Sequence, residues 1–287
     1  MTASSASIPV LPVADVIPEP KIVVFSPHFD DVLFMLGGYL TELKRAEQLP
    51  TKQLHVVVLF SRSNYQAGSA EDNADTSLAR IKRATGNRVI EDQDCLNELV
   101  GRYQYTYELG GEDECFARGK QFADSEMEFP HGMYEDFDAQ DHAIFSRMKQ
   151  RIRRWAGQNN TALVFPLAFK EHIDHFIVRE AAIAVAREQE GHPGATFYFQ
   201  EDKPYGGLAT PEELDRTEAF ISAHQLESRC YAADPEEVIR LAFKHYVSQV
   251  EEVYRTGINQ QATYWQQTMT ADRPLDRICA YSYRKHL

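Results

Sequence analysis

Short apolar runs recur along this chain, each closed by polar residues and most followed by an amphipathic stretch. Residues 21–25 and 54–60 are rich in β-branched side chains and too short for stable helices, so they read as buried strands. Between them Leu33, Leu36, Leu40 and Leu43 recur at helical spacing, which predicts a helix over residues 32–45. Strands are likewise predicted over 103–109, 162–166 and 196–199, and helices over 75–99, 142–157 and 176–188. The 75–99 helix is expected to break near Gly86. Beyond residue 211 the pattern is mixed, with helices near 235–254. Strands alternating with helices predict an α/β fold: a Rossmann-like three-layer sandwich with a mainly parallel sheet, plus a mixed C-terminal extension.

The Ser- and Pro-containing residues 1–20 read as an extended leader, and 21–287 as a single domain. Residues 110–141, rich in Gly, Glu and Asp, read as a long insertion whose acidic side chains, Glu114 among them, form a solvated face. A net charge of -13 argues against sequence-independent nucleic-acid binding. No apolar run approaches the ~20 residues of a membrane span. Cys95, Cys115, Cys230 and Cys279 form no CxxC pair, which predicts reduced thiols, a cytoplasmic location and no thiolate metal site. A homo-oligomer is left open.

The candidate chemistry lies in two polar clusters, each just after a predicted strand. Pro27-His28-Phe29-Asp30-Asp31 follows the first, and His172-Ile173-Asp174-His175 follows the run over 162–167. Polar residues there stand at the carboxyl edge of a parallel sheet, where open α/β folds hold ligands. His28, Asp31 and His175 supply the three N/O ligands of a catalytic zinc site with an open position for water. Asp30 is then placed to act as general base, His172 to hold an oxyanion or protonate a leaving amine, and Asp174 to orient an imidazole. A dinucleotide site is a poor reading, because the first turn lacks GxGxxG and Gly37-Gly38 falls inside the predicted helix.

These clusters resemble the two motifs of the PIG-L/LmbE-like zinc deacetylases, Pro-His-x-Asp-Asp and His-x-Asp-His. Glu201-Asp202-Lys203-Pro204-Tyr205 and Lys244-His245-Tyr246-Val247-Ser248-Gln249 are similar to further elements of one branch of that family. The resemblance implies one Zn2+ on His28, Asp31 and His175, with Asp30 as base and His172 as acid or oxyanion partner. It implies a small-molecule substrate, an N-acetylated amino sugar or its glycoside, contacted by Arg88 and Glu91 of an Arg-x-x-Glu element. Tyr198, Phe199 and Tyr205 are candidates for a sugar-stacking wall, the last as a substrate-binding residue. Deacylation of a non-sugar amide and non-catalytic carbohydrate binding are the alternatives. The chain departs from the family pattern at Phe29, at Val32 and over residues 168–171, where Phe169 and Lys170 are expected at the rim of the pocket.

Overall fold

The computed structural model describes residues 8–67, 73–120 and 137–281. Its centre is one seven-stranded sheet: β1 (Lys21–Ser26), β2 (Gln53–Val58), β3 (Tyr105–Leu109), β4 (Thr161–Pro166), β5 (Thr196–Gln200), β6 (Leu226–Ala232) and β7 (Leu275–Tyr281). The order is β3-β2-β1-β4-β5-β7-β6. Pairing is parallel from β3 through β5 and antiparallel for β5–β7 and β7–β6. Besides one helical turn at Val13–Val16, within the leader expected to be extended, the helices are α1 (Asp31–Arg45), α2 (Leu78–Leu99), α3 (Ala139–Ala156), α4 (Ile173–Glu188), α5 (Pro211–Ala223), α6 (Pro235–His245) and α7 (Glu252–Thr268).

Strand alternation sorts the core into two layers. Ile22 and Val24 of β1 join a cluster with Leu33 and Leu36 of α1, Leu96 of α2 and Val238 of α6. Val23 and Phe25 join the opposite cluster, with Ile144 and Met148 of α3 and Ile177 and Ala181 of α4. Helices thus cover both faces, the expected three-layer α/β sandwich. From β1 the parallel strands run outward in both directions, so the order reverses between β1 and β4. The crevice at such a reversal is where doubly wound sheets hold ligands. Both polar clusters leave the carboxyl ends of these two strands.

One expectation about the helices differs from the structure. The 75–99 helix does not break: α2 is one element through Gly86, whose Cα faces open space. An exposed glycine costs a helix only about 1 kcal/mol, and the burial of Ile81, Ala84, Cys95, Leu96 and Leu99 outweighs it. The helices expected near 235–254 are two: one ends at His245, and the next starts at Glu252. The C-terminal part, read from sequence as mixed, also carries the two strands β6 and β7. β7 holds Asp276 and Arg277, which break an apolar run, yet both are 1% exposed. Each is matched by a buried partner, Lys203 Nζ to Asp276 at 2.7 Å and Arg277 Nε to Glu201 at 2.7 Å.

Of the leader, residues 8–20 lie against the body. Pro9 and Leu11 exchange backbone hydrogen bonds with Cys230, and Val16 and Ile17 are fully buried. Of the 110–141 segment, 121–136 lie outside the described residues. In the rest, Glu114 departs from the expected solvated face, being 2% exposed.

Asp92 on α2 is fully buried and accepts from the hydroxyls of Tyr107 and Tyr246. Burial pushes its carboxyl up to about 8 against the two hydrogen bonds. The folded chain therefore holds a proton here that the unfolded chain releases near pH 4. This contribution to stability is complete below about pH 4 and declines as pH rises towards 8. Asp92→Asn is expected to flatten that decline. Urea melts of both proteins from pH 5 to 8 check it, and parallel slopes would contradict it.

Candidate metal and active site

Ser26 closes β1 by donating through Oγ to the His28 carbonyl at 2.7 Å. The chain then turns sharply, and the His28 amide donates to Asp31 Oδ2 at 2.7 Å as α1 begins. From the far side of the sheet reversal, α4 presents His175 in its first turn. His28 Nδ1, Asp31 Oδ2 and His175 Nε2 form a triangle with edges of 3.4, 3.2 and 3.3 Å. A tetrahedral zinc with ligands at about 2.05 Å requires edges of about 3.3 Å. The three donors are thus already spaced for one ion.

The far nitrogens of both imidazoles meet carboxylates. His28 Nε2 lies 2.9 Å from Asp174 Oδ2, and His175 Nδ1 lies 2.9 Å from Asp202 Oδ2. This backing fixes which ring nitrogen carries the proton and leaves the other for a cation. Burial alone would pull both histidines down. The carboxylates overcome it and hold His28 at about 9 and His175 at about 10. Asp31, despite burial, is held well below its usual value by His175 and His28. A buried set that draws in positive charge this strongly, with matching spacing, fits a divalent metal.

Asp30 stands at the N-cap position of α1 but makes no capping hydrogen bond. Its Oδ1 instead accepts from Arg88 Nη2 at 3.1 Å. Arg88 is 3% exposed, and its other terminal nitrogen donates to Glu114 Oε2 at 2.9 Å and Ser63 Oγ at 3.0 Å. Glu114 also accepts from the amides of Asn64 and Tyr65, at 2.9 and 2.8 Å. Arg88 is therefore no surface residue, and a fixed guanidinium faces the carboxylate of Asp30.

His172 caps α4, its Nδ1 accepting from the Asp174 amide at 3.2 Å. In the neutral ring the proton then sits on Nε2. Burial, followed by the nearby His28 and His175, lowers this imidazole well below the usual range. A nitrogen of His172 lies within 4.8 Å of nitrogens of His28 and His175. Its capping role nevertheless makes Nε2 a donor, whereas the Asp31 triangle offers three acceptors.

The enclosed space above the triangle is about 20 Å³, room for about one water. Asp30, Arg88, His172, Tyr205, Tyr254 and Gln249 are among its walls.

Several residues were not singled out from sequence. Asp202 stands in the quoted Glu-Asp-Lys-Pro-Tyr element without a role, and Gln249 ends the quoted Tyr-Val-Ser-Gln element. Arg118 Nη1 lies 2.8 Å from Asp174 Oδ1, and the Cys115 amide donates to Asp174 Oδ2 at 2.9 Å. One turn after β3, residues 114–118, thus braces both Arg88 and Asp174. No spacing rule marks such a turn.

Other expectations are corrected. Glu91 does not line the cleft; it accepts from the Ser248 amide and hydroxyl at 2.9 and 2.6 Å, which anchors the strip carrying Gln249. Tyr198 and Phe199 pack in the core, and only Tyr205 of the three aromatics reaches the cleft. Phe169 is 1% exposed and Lys170 pairs with Glu213 at 3.3 Å, so neither forms the cleft rim. Val32 is fully buried in the core.

The fold is that of solved deacetylases, and the two motifs are similar to those of the PIG-L/LmbE-like deacetylases. No family model matches the chain. The 2'-N-acetylparomamine deacetylase of Streptomyces fradiae is 27% identical over 202 residues, 69% of this chain. That match spans 62% of the relative's length, less than two thirds. Among solved structures, the zinc-inhibited form of a teicoplanin deacetylase superposes with a TM-score of 0.59 at 16% identity, over 93% of this chain and 100% of that one. An N,N'-diacetylchitobiose deacetylase from Pyrococcus horikoshii gives 0.54 at 11%, over 94% of this chain and 85% of that one. At these identities the likeness to the two structures is one of fold. Among the described residues, no helix is long and apolar enough to cross a membrane.

Proposed function

We propose that this chain is a zinc-dependent deacetylase acting on an N-acetylated amino sugar or its glycoside. The observation that carries the reading is the donor triangle of His28, Asp31 and His175, with edges of 3.2 to 3.4 Å, beside Asp30 and His172. Held there, zinc would supply a Lewis acid and would make a nearby water more acidic.

The chain's own residues do the rest. Asp30, held by Arg88, takes a proton from the attacking water and passes it to the departing nitrogen. His172, protonated on Nε2, donates to the oxygen that gains charge as the acetyl carbon becomes tetrahedral. The carbon–nitrogen bond then breaks, and the water's second proton passes from the new carboxyl group to the amine, giving acetate and an ammonium group. Tyr205 and Tyr254 offer aromatic walls beside this centre.

The relative that acts on 2'-N-acetylparomamine and the net charge of -13 together favour a substrate with further ammonium groups. An acidic surface attracts such a molecule before it binds.

The test is acetate release from N-acetylglucosamine, N,N'-diacetylchitobiose and 2'-N-acetylparomamine, with the protein stripped of metal and then reloaded with zinc. Release that disappears on stripping and returns with zinc is expected. Stoichiometric zinc without release from any of the three would move the substrate to a non-sugar amide. Release indifferent to stripping would overturn the metal reading.

A further inference from the structure

A second cavity near the site is larger than the catalytic cleft. It lies on the other side of the segment 201–208 and encloses about 220 Å³, against about 20 Å³ over the donor triangle. At about 30 Å³ per water that is room for roughly seven waters. Tyr205 faces the catalytic cleft, whereas Gly206 and Gly207 line this second space.

Its floor is polar and built. Arg277, 1% exposed, lies 4.3 Å over the Trp265 ring and donates to Glu201 Oε1 at 2.7 Å and Glu218 Oε1 at 2.5 Å. Glu201 Oε2 accepts from Gln261 Nε2 at 2.6 Å and from the Trp265 indole at 2.8 Å. The Gln261 amide is thereby fixed in orientation, and its oxygen is left without a hydrogen-bond partner. Tyr264 stands 49% exposed at the rim.

We infer that this cavity is a second saccharide site, selective for a ring that carries a protonated amine. Two carboxylates and one guanidinium give the lining a charge of about -1 at neutral pH. The Gln261 oxygen is an acceptor without a partner and the net charge is negative, so a ligand with hydroxyl and ammonium donors suits the lining. Glu201 and Glu218 occupy Arg277 from two sides, which disfavours an incoming carboxylate or phosphate. Tyr264 offers a rim aromatic for the apolar face of a sugar and a cation–π contact for its amine. The site needs neither metal nor turnover, so it stands or falls apart from the proposed activity.

The chain has two tryptophans, Trp155 and Trp265. Trp155→Phe makes Trp265, on the cavity floor, the sole reporter of indole fluorescence. Titration of that protein with glucosamine is expected to give a saturable change in emission. Glucose should bind at least tenfold more weakly. Tyr264→Ala and Glu218→Gln, both exposed rim positions that leave the core intact, should each weaken glucosamine about tenfold, while Asp30→Asn should leave it unchanged. No saturable change, or equal affinity before and after Tyr264→Ala, would overturn the second site. Equal affinity for glucose and glucosamine would overturn its selectivity for an amine.

Discussion

Asp30→Asn is expected to lower kcat about 10²- to 10⁴-fold, the usual contribution of a general base, while zinc content stays at one per chain. Asparagine keeps the size of the side chain and an oxygen for the Arg88 contact at 3.1 Å. It has no lone pair basic enough to take a proton. None of the three donors in the metal triangle belongs to Asp30, so the metal should remain. Initial rates of acetate release beside elemental analysis of the same sample separate the two effects. Activity within tenfold of the natural protein would sink Asp30 as the base, and loss of zinc would make it a structural support of the metal instead.

The second large effect concerns His175. His175→Ala removes one corner of the triangle and the partner of Asp202, and leaves Asp31 and Asp202 buried with less to balance them. Metal occupancy should fall to background. Stability should fall by about 3 kcal/mol or more, the usual consequence of taking one partner from a buried charged pair. Elemental analysis and urea melts read these separately. Full occupancy would reject His175 as a ligand, whatever happened to stability.

These tests bear on residues that could be chosen from the sequence, and the reason is physical. His28, Asp31 and His175 each follow an apolar run that cannot be anything but a buried strand, so their place at the sheet's carboxyl edge was legible from the pattern alone. The strands and helices up to residue 200 were legible for the same reason. Asp202 and Glu114 were not, because a carboxylate after a strand or in an acidic stretch is usually solvated. Burial is set by what packs on top, and the turn that buries Glu114 has no periodicity. β7 was hidden by Asp276 and Arg277, which read as surface residues until Lys203 and Glu201 are placed against them. Pairwise burial of charge leaves no mark on a one-dimensional pattern.

The peptide that leads from β4 into His172 has its own consequence. Ala168, Lys170 and Glu171 all adopt left-handed backbone angles, with φ of 58, 58 and 53°. Residues with a side chain pay for that conformation with about 1 kcal/mol or more each. The path is held from outside, by the Phe169 amide on Asp202 at 3.2 Å and by Lys170 on Glu213. For anyone redesigning specificity, this makes 168–172 the seam to leave uncut. A residue inserted or deleted there would shift His172 and the Asp202 contact together, whereas the exposed rim around Tyr264 and Glu218 accepts change one side chain at a time.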